Sequence, residues 1–157
     1  FPSAQRLVDV SKSCVRVSRL FGFDPKVAFL SHSTFGKPIS KNTKHVRDAI
    51  QMLKKDKVDF DFDGEMQPDV ALNPIYQEIY PFSKIVGNAN ILIMPALHSA
   101  AISTKLMKVF GGGKLIGPLL IGLGLPIEVA PLRASTSEIL NLASIASYSS
   151  GVIDYSN

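Results

Sequence analysis

The chain carries a single cysteine, Cys14, in 157 residues. One thiol excludes an internal disulfide and suits a reducing, cytoplasmic compartment. The three histidines, His32, His45 and His98, are too far apart in sequence to form a metal motif by spacing. With only one cysteine beside them, a zinc site is not expected. Long apolar runs are also missing. The richest stretch, residues 115–131, is broken by Gly117, Pro118, Gly122, Gly124 and Pro126, well short of the roughly 18 to 20 residues that cross a bilayer. No membrane partner is therefore expected. The opening Phe1-Pro2-Ser3-Ala4 lacks a methionine and a charged segment leading into an apolar one, so it is not a secretory signal. The natural protein is expected to extend before Phe1. A strong excess of one charge is missing too: 17 Lys or Arg residues against 13 Asp or Glu leave a net value of +4, which permits an anionic ligand without implying nucleic acid. What remains is a 46% apolar chain with mixed charge, the composition of a soluble globular protein. Its length predicts one domain over residues 1–157.

The stretch from Asn90 to Ala134 organises the rest. An apolar run, Ile91 to Met94, stops at Pro95. A helical pattern follows from about His98 to Phe110 and ends at Gly111-Gly112-Gly113. Two further apolar runs, Leu115–Ile121 and Ile127–Ala130, read as strands. Strand, helix, strand, strand predicts a layered α/β domain around a buried sheet.

Taken from the start, Ala4 to Leu20 reads as a helix with Ser3 as its cap, and Gly22 with Asp24-Pro25 closes it. Lys26 to Leu30 reads as a short buried strand. It empties into Ser31-His32-Ser33-Thr34-Phe35-Gly36-Lys37-Pro38. Loops at the carboxyl ends of strands in open α/β sheets are where ligands bind. Ser31, Ser33 and Thr34 offer hydrogen bonds to a phosphate or carbonyl, Gly36 allows close backbone approach, and Lys37 supplies charge. The same residues make an equally good turn and helix cap, and the residues alone leave both readings open. Lys41 to Lys55 is a helix, with Val46, Ala49, Ile50 and Leu53 on one face. Between Lys37 and Lys57 stand seven Lys or Arg residues and two acids. That pattern fits a solvated helix face or an anion grip. No aromatics interleave it, which argues against single-stranded nucleic acid.

Val58 to Phe62 alternates apolar residues with Asp59 and Asp61 and reads as a strand. Asp59-x-Asp61-x-Asp63-Gly64 opens like a calcium loop, but the twelfth position, which needs a bidentate Glu, is Val70. Short helical turns are expected near Asp69–Leu72 and Pro74–Tyr80. Gly113-Lys114 is not a phosphate loop, because Leu115 follows the lysine and Lys108 stands where a glycine is required. A Ser/His/Asp triad is a spatial arrangement and stays open, but no G-x-S-x-G elbow is present. Ser135 to Ala146 reads as the last helix, with Ser135 or Thr136 as cap and Glu138 in the first turn. The tail from Tyr148 to Asn157 is expected to lie on the surface or fray.

Several segments in series carry a family resemblance. Pro25–Ser33, Phe62–Gln67, Ala89–Pro95 and Ile116–Leu123 resemble the second half of phosphate acetyltransferases, over residues 4–150. Ser31-His32-Ser33, Ala71-Leu72-Asn73-Pro74, Tyr80–Lys84 and Met94–Ala100 look like the phosphotransacetylase-like region fused to large bacterial NADP-dependent malic enzymes. The resemblance implies a three-layer α/β/α sandwich, of the isocitrate/isopropylmalate dehydrogenase-like kind. It also implies a site for acetyl-CoA or CoA between this half and a preceding region. By position, Lys105 matches a lysine near the coenzyme, and the Ser31–Lys37 loop faces the acetyl-phosphate site. The family's catalytic Ser-Arg-Gly falls on Pro131-Leu132-Arg133, so the serine is missing and the arginine is displaced by one residue. The family's helix aspartate falls on Glu138, the one catalytic candidate if transacetylation survives. Acetyl-phosphate chemistry needs fixed positive charge where the oxyanion develops, and re-aiming an arginine by one residue spoils a bidentate fork. The resemblance therefore implies a regulatory, oligomerising domain that binds acetyl-CoA as effector. NADP and Mg or Mn would belong to the preceding malic enzyme part, which is itself a partner. A second copy of the chain is the other expected partner, through residues 115–131. The alternative is an active phosphate acetyltransferase.

Overall fold

The computed structural model describes residues 1–123 and 125–152. Contacts divide the chain into two compact units, Phe1–Thr104 and Lys105–Asn157. Each is described by itself.

The first unit is built on a parallel sheet. Helix α1 (Ala4–Leu20) leads to β1 (Lys26–Leu30), and a 3-10 turn (Lys41–Thr43) runs into α2 (Lys44–Asp56). Then come β2 (Asp61–Met66), the short helices α3 (Pro68–Leu72) and α4 (Pro74–Gln77), β3 (Ile91–Ile93) and α5 (Leu97–Phe110). The strand order is β2-β1-β3, and both pairings are parallel. Helical crossovers make such a sheet possible and cover it on both faces, so its middle strand must be apolar throughout. Val27-Ala28-Phe29-Leu30 meets that need, with half-buried Lys26 at the strand's entrance. Val27 and Phe29 join Leu7, Val8 and Val15 of α1 and Val46, Ile50 and Leu53 of α2 on one face. Ala28 and Leu30 join Met66, Val70, Ala71 and Ile85 on the other. Helix α1 begins as its sequence requires, with the Ser3 hydroxyl accepting the Arg6 N–H at 3.2 Å.

β2 differs from its sequence reading. The alternation over residues 58–62 predicts a strand there, whereas pairing begins at Asp61 and runs on to Met66. Val58 and Phe60 pack on the core before the strand starts. Asp59 is drawn instead to Arg19, which reaches its carboxylate at 3.1 Å and its carbonyl at 2.9 Å. The later half of β2 reads as polar because it holds two buried acids, Asp63 and Glu65, each with its own partners. Asp63 accepts the Lys84 N–H at 2.8 Å.

The second unit holds the last turns of α5, an irregular run and α6 (Thr136–Val152). Neither Leu115–Ile121 nor Ile127–Ala130 forms a strand among the described residues, against the sequence reading. Pro118, Pro126 and Pro131 each remove a ladder donor from this stretch. Gly124, and the part of the expected tail after Val152, lie outside the described residues. Among those described, no helix is long and apolar enough to cross a membrane.

Candidate functional site

β1 delivers the Ser31–Lys37 loop to the carboxyl edge of the sheet, where the end of β2 holds it. The Ser31 N–H donates to the Met66 carbonyl at 2.9 Å and the Phe35 N–H to the Glu65 carbonyl at 2.7 Å. The Gln67 N–H donates to Thr34 Oγ1 at 3.1 Å, and its side chain to the His32 carbonyl at 2.8 Å. The tip is a tight reversal in which Thr34 and Lys37 exchange two backbone hydrogen bonds of 3.0 Å. Its two central residues have positive φ, 48° at Phe35 and 82° at Gly36, as a two-residue hairpin turn requires. Phe35 is braced by Phe82 and Tyr80, with ring centroids at 4.8 and 5.3 Å.

The loop hydroxyls point inward. Ser31, Ser33 and Thr34 are buried, whereas His32 and Lys37 are exposed. Ser33 is wholly enclosed and its hydroxyl donates to Glu65 Oε1 at 2.8 Å, with Ser31 Oγ 3.2 Å from Ser33 Oγ. Glu65 itself is 1% exposed. A carboxylate taken out of water needs both a counter-charge and hydrogen bonds. Arg47 of α2 supplies the charge, at 3.0 and 3.3 Å from the two carboxylate oxygens. Thr43 adds a long hydrogen bond of 3.4 Å. Arg47 is fixed in turn by the Thr43 hydroxyl and, at 3.0 Å, by the Ser40 carbonyl. Among the described residues, no buried side-chain nitrogen or oxygen is left without a partner. Beside this network lies a cleft of about 220 Å³, lined by Phe35, Gly36, Arg47, Gln51, Lys54 and Glu65.

The other candidates belong to the second unit. Lys105 on α5 and Arg133 are both exposed, and so is Leu132. Glu138 is engaged in a capping box, the reciprocal pairing of the first residues of a helix. Its carboxylate accepts the Ser135 N–H at 2.8 Å and the Ser135 hydroxyl at 2.9 Å, while Lys108 stands at 3.4 Å. The Glu138 N–H returns a 3.3 Å bond to Ser135 Oγ. The Ser135 backbone first, then its hydroxyl and Lys108, hold the Glu138 carboxyl below the usual carboxylate range. A carboxylate stabilised in this way is a poor base.

The structure thus brings Ser31, Ser33, Thr34, Gly36 and Lys37 together in one turn. It adds Glu65 and Arg47, which sequence reasoning left out. A signal for them existed: an acid in the middle of a buried strand needs polar partners, and a cation on the facing helix is one way to supply them, as Arg47 does for Glu65. Arg47 stands among the lysines of α2, and such a run fits a solvated helix face equally well.

The model of the family described as phosphate acetyl/butaryl transferase matches residues 1–147. The chain belongs to this family. Against an NADP-dependent malic enzyme of Rhizobium meliloti it is 44% identical over 150 residues, covering 96% of this chain and 20% of that one. Against the phosphate acetyltransferase of Bacillus subtilis it is 32% identical over 145 residues, covering 92% of this chain and 45% of that one. The crystal structure of a phosphotransacetylase from Streptococcus pyogenes superposes with a TM-score of 0.87 at 33% identity, over 94% of this chain and 45% of that chain. The α/β fold with its parallel sheet is therefore that of the phosphotransacetylases. The chain spans about a fifth of its malic enzyme relative and under half of its phosphate acetyltransferase relative.

Proposed function

We propose that this chain is the phosphotransacetylase-like part of an NADP-dependent malic enzyme, and that it binds acetyl-CoA as an effector instead of turning it over. The observation that carries the branch is the identity of 44% to a malic enzyme against 32% to a phosphate acetyltransferase. In this reading the complete protein is cytoplasmic and oxidatively decarboxylates malate to pyruvate. NADP and a divalent metal would be held by the preceding part of the chain, and no residue of this chain is assigned to them. In the first unit, Lys37 and the Gly36 backbone are the groups offered to an anionic part of the coenzyme; in the second, exposed Lys105 and Arg133 are separate binding candidates that rest on the family resemblance. The buried hydroxyls of Ser31, Ser33 and Thr34 shape the loop and do not reach the ligand.

The loss of transacetylation is supported by two features. Leu132 stands at the position assigned to the family's arginine, where it supplies no charge to a developing oxyanion. Glu138, the assigned acid, is committed to its helix cap and to Lys108. Regulation then consists of a coupling free energy: acetyl-CoA binds one state of the assembly better, and the malic enzyme centre feels the shift. Self-association is supported by the exposed apolar side chains of residues 115–131, among them Ile116, Leu125 and Ile127.

The test measures acetyl phosphate formation from acetyl-CoA and phosphate by the complete protein, beside direct acetyl-CoA binding by calorimetry. Binding without acetyl phosphate is the expected result. Turnover by the wild type that fails on Arg133→Ala would establish the alternative, an active phosphate acetyltransferase.

A further inference from the structure

The Ser31–Lys37 turn closes on itself through its own two backbone hydrogen bonds, but these say nothing of where it points. Its aim is set by what joins it to the sheet. Glu65 provides two of those links, one from its carbonyl to the Phe35 N–H at 2.7 Å and one from its carboxylate to the Ser33 hydroxyl at 2.8 Å. The same carboxylate reaches back to Thr43 and Arg47 at the start of α2, so one buried group ties β2, the loop and the helix together. A neutral residue there would leave Arg47 facing a cleft without its counter-charge, and an apolar one would take from Ser33 its charged acceptor, leaving only the longer contact with the Ser31 hydroxyl at 3.2 Å.

We propose that Glu65 is the positioning residue of the Ser31–Lys37 loop, acting through Ser33 and with its charge balanced by Arg47, so that the turn presents Gly36 and Lys37 to the anionic end of an acyl-coenzyme. This rests on the reading above that the loop meets acetyl-CoA. Glu65 touches no ligand itself; it decides the geometry of the groups that do. Such buried polar networks fix a single arrangement when every member is satisfied, and this one is.

Ser33→Ala removes one hydroxyl and leaves the Glu65–Arg47 pair intact, so it is the first variant. Amide exchange at Phe35 and Lys37 should quicken about five- to tenfold, the factor that losing one hydrogen bond of ordinary net strength corresponds to. Exchange at Val15 in α1 and Leu53 in α2 should not move. Acetyl-CoA affinity of the complete protein should fall by a similar factor. Glu65→Gln keeps the shape and an acceptor for Ser33 but removes the charge, and should produce both effects. Lys37→Ala should weaken acetyl-CoA binding and leave loop exchange unchanged. Unaltered exchange at Phe35 and Lys37 in Ser33→Ala would overturn the proposal. So would a uniform rise that includes Val15, because that is global destabilisation and not positioning. If the wild type binds no acetyl-CoA, the effector reading fails, and the exchange data still decide whether Glu65 aims the loop.

Discussion

Gly64→Ala perturbs the fold where the sheet and the site meet. Gly64 pairs with Phe29 across β1 and β2, one residue before Glu65. Its φ is 144°, and a Cβ added there would stand 2.6 Å from the Phe29 carbonyl oxygen and 3.0 Å from the Phe29 Cβ. Two costs follow. Holding an alanine in a conformation that side chains rarely adopt costs about 1–3 kcal/mol. Relieving the overlap by pushing β1 from β2 costs about 1–3 kcal/mol more, as overpacking of a close-packed interior does. The sum is about 2–6 kcal/mol, a large share of the about 5–15 kcal/mol that holds a domain together. Phe29 is wholly buried at the centre of the sheet, so no flexible end can move aside. Urea denaturation followed by circular dichroism reads the loss as a lowered midpoint at unchanged slope. A loss under about 1 kcal/mol would refute the reasoning, since neither the backbone strain nor the contact with Phe29 would then be present.

Three further outcomes are expected. Leu53→Ala empties a fully buried position between α2 and the sheet and should cost about 2–5 kcal/mol in the same urea assay; a loss within experimental error would mean that α2 does not pack as described. Arg19 holds the Asp59 carboxyl below its ordinary 3.8, so the pair stabilises above that pH and loses its effect as pH falls through the lower folded value. The difference in urea midpoint between wild type and Asp59→Asn, small because the pair is exposed, should accordingly be constant near neutrality and vanish in acid; a difference that grew as pH fell would contradict the pairing. Burial pushes the Cys14 thiol above its ordinary value, so alkylation by iodoacetamide at mildly alkaline pH should be slower than for a small-molecule thiol, and an equal rate would place Cys14 outside the core.

The sequence was most legible where period and punctuation agree. Ser3 with the run to Leu20, the five residues of β1 and the Val46–Leu53 face of α2 announce themselves because burial there is apolar and local. The sequence pattern misplaces β2 because its buried positions include Asp63 and Glu65, and an acid looks like surface until its partner is known. For Glu65 that partner, Arg47, lies 18 residues away on a neighbouring element. The runs over residues 115–130 carry the hydropathy of strands but also the prolines that prevent one. At the site, the place of the loop after β1 is written in the sequence, yet the direction of its hydroxyls is not. Nothing in Ser31-His32-Ser33-Thr34 tells which side chains face Glu65 and which face solvent. Glu138 shows the opposite case, since Ser135-x-x-Glu138 spells its capping box in the sequence and the structure forms it.

The proposed coupling joins acetyl-CoA bound to this chain to a malic enzyme centre elsewhere in the same protein. Its most direct test is the rate of malate-dependent NADP reduction, titrated with acetyl-CoA, in the complete protein and in one truncated before Phe1. Acetyl-CoA should change the rate of the complete protein and have no effect on the truncated one, which still reduces NADP. A rate indifferent to acetyl-CoA in both, or equally sensitive in both, would contradict it.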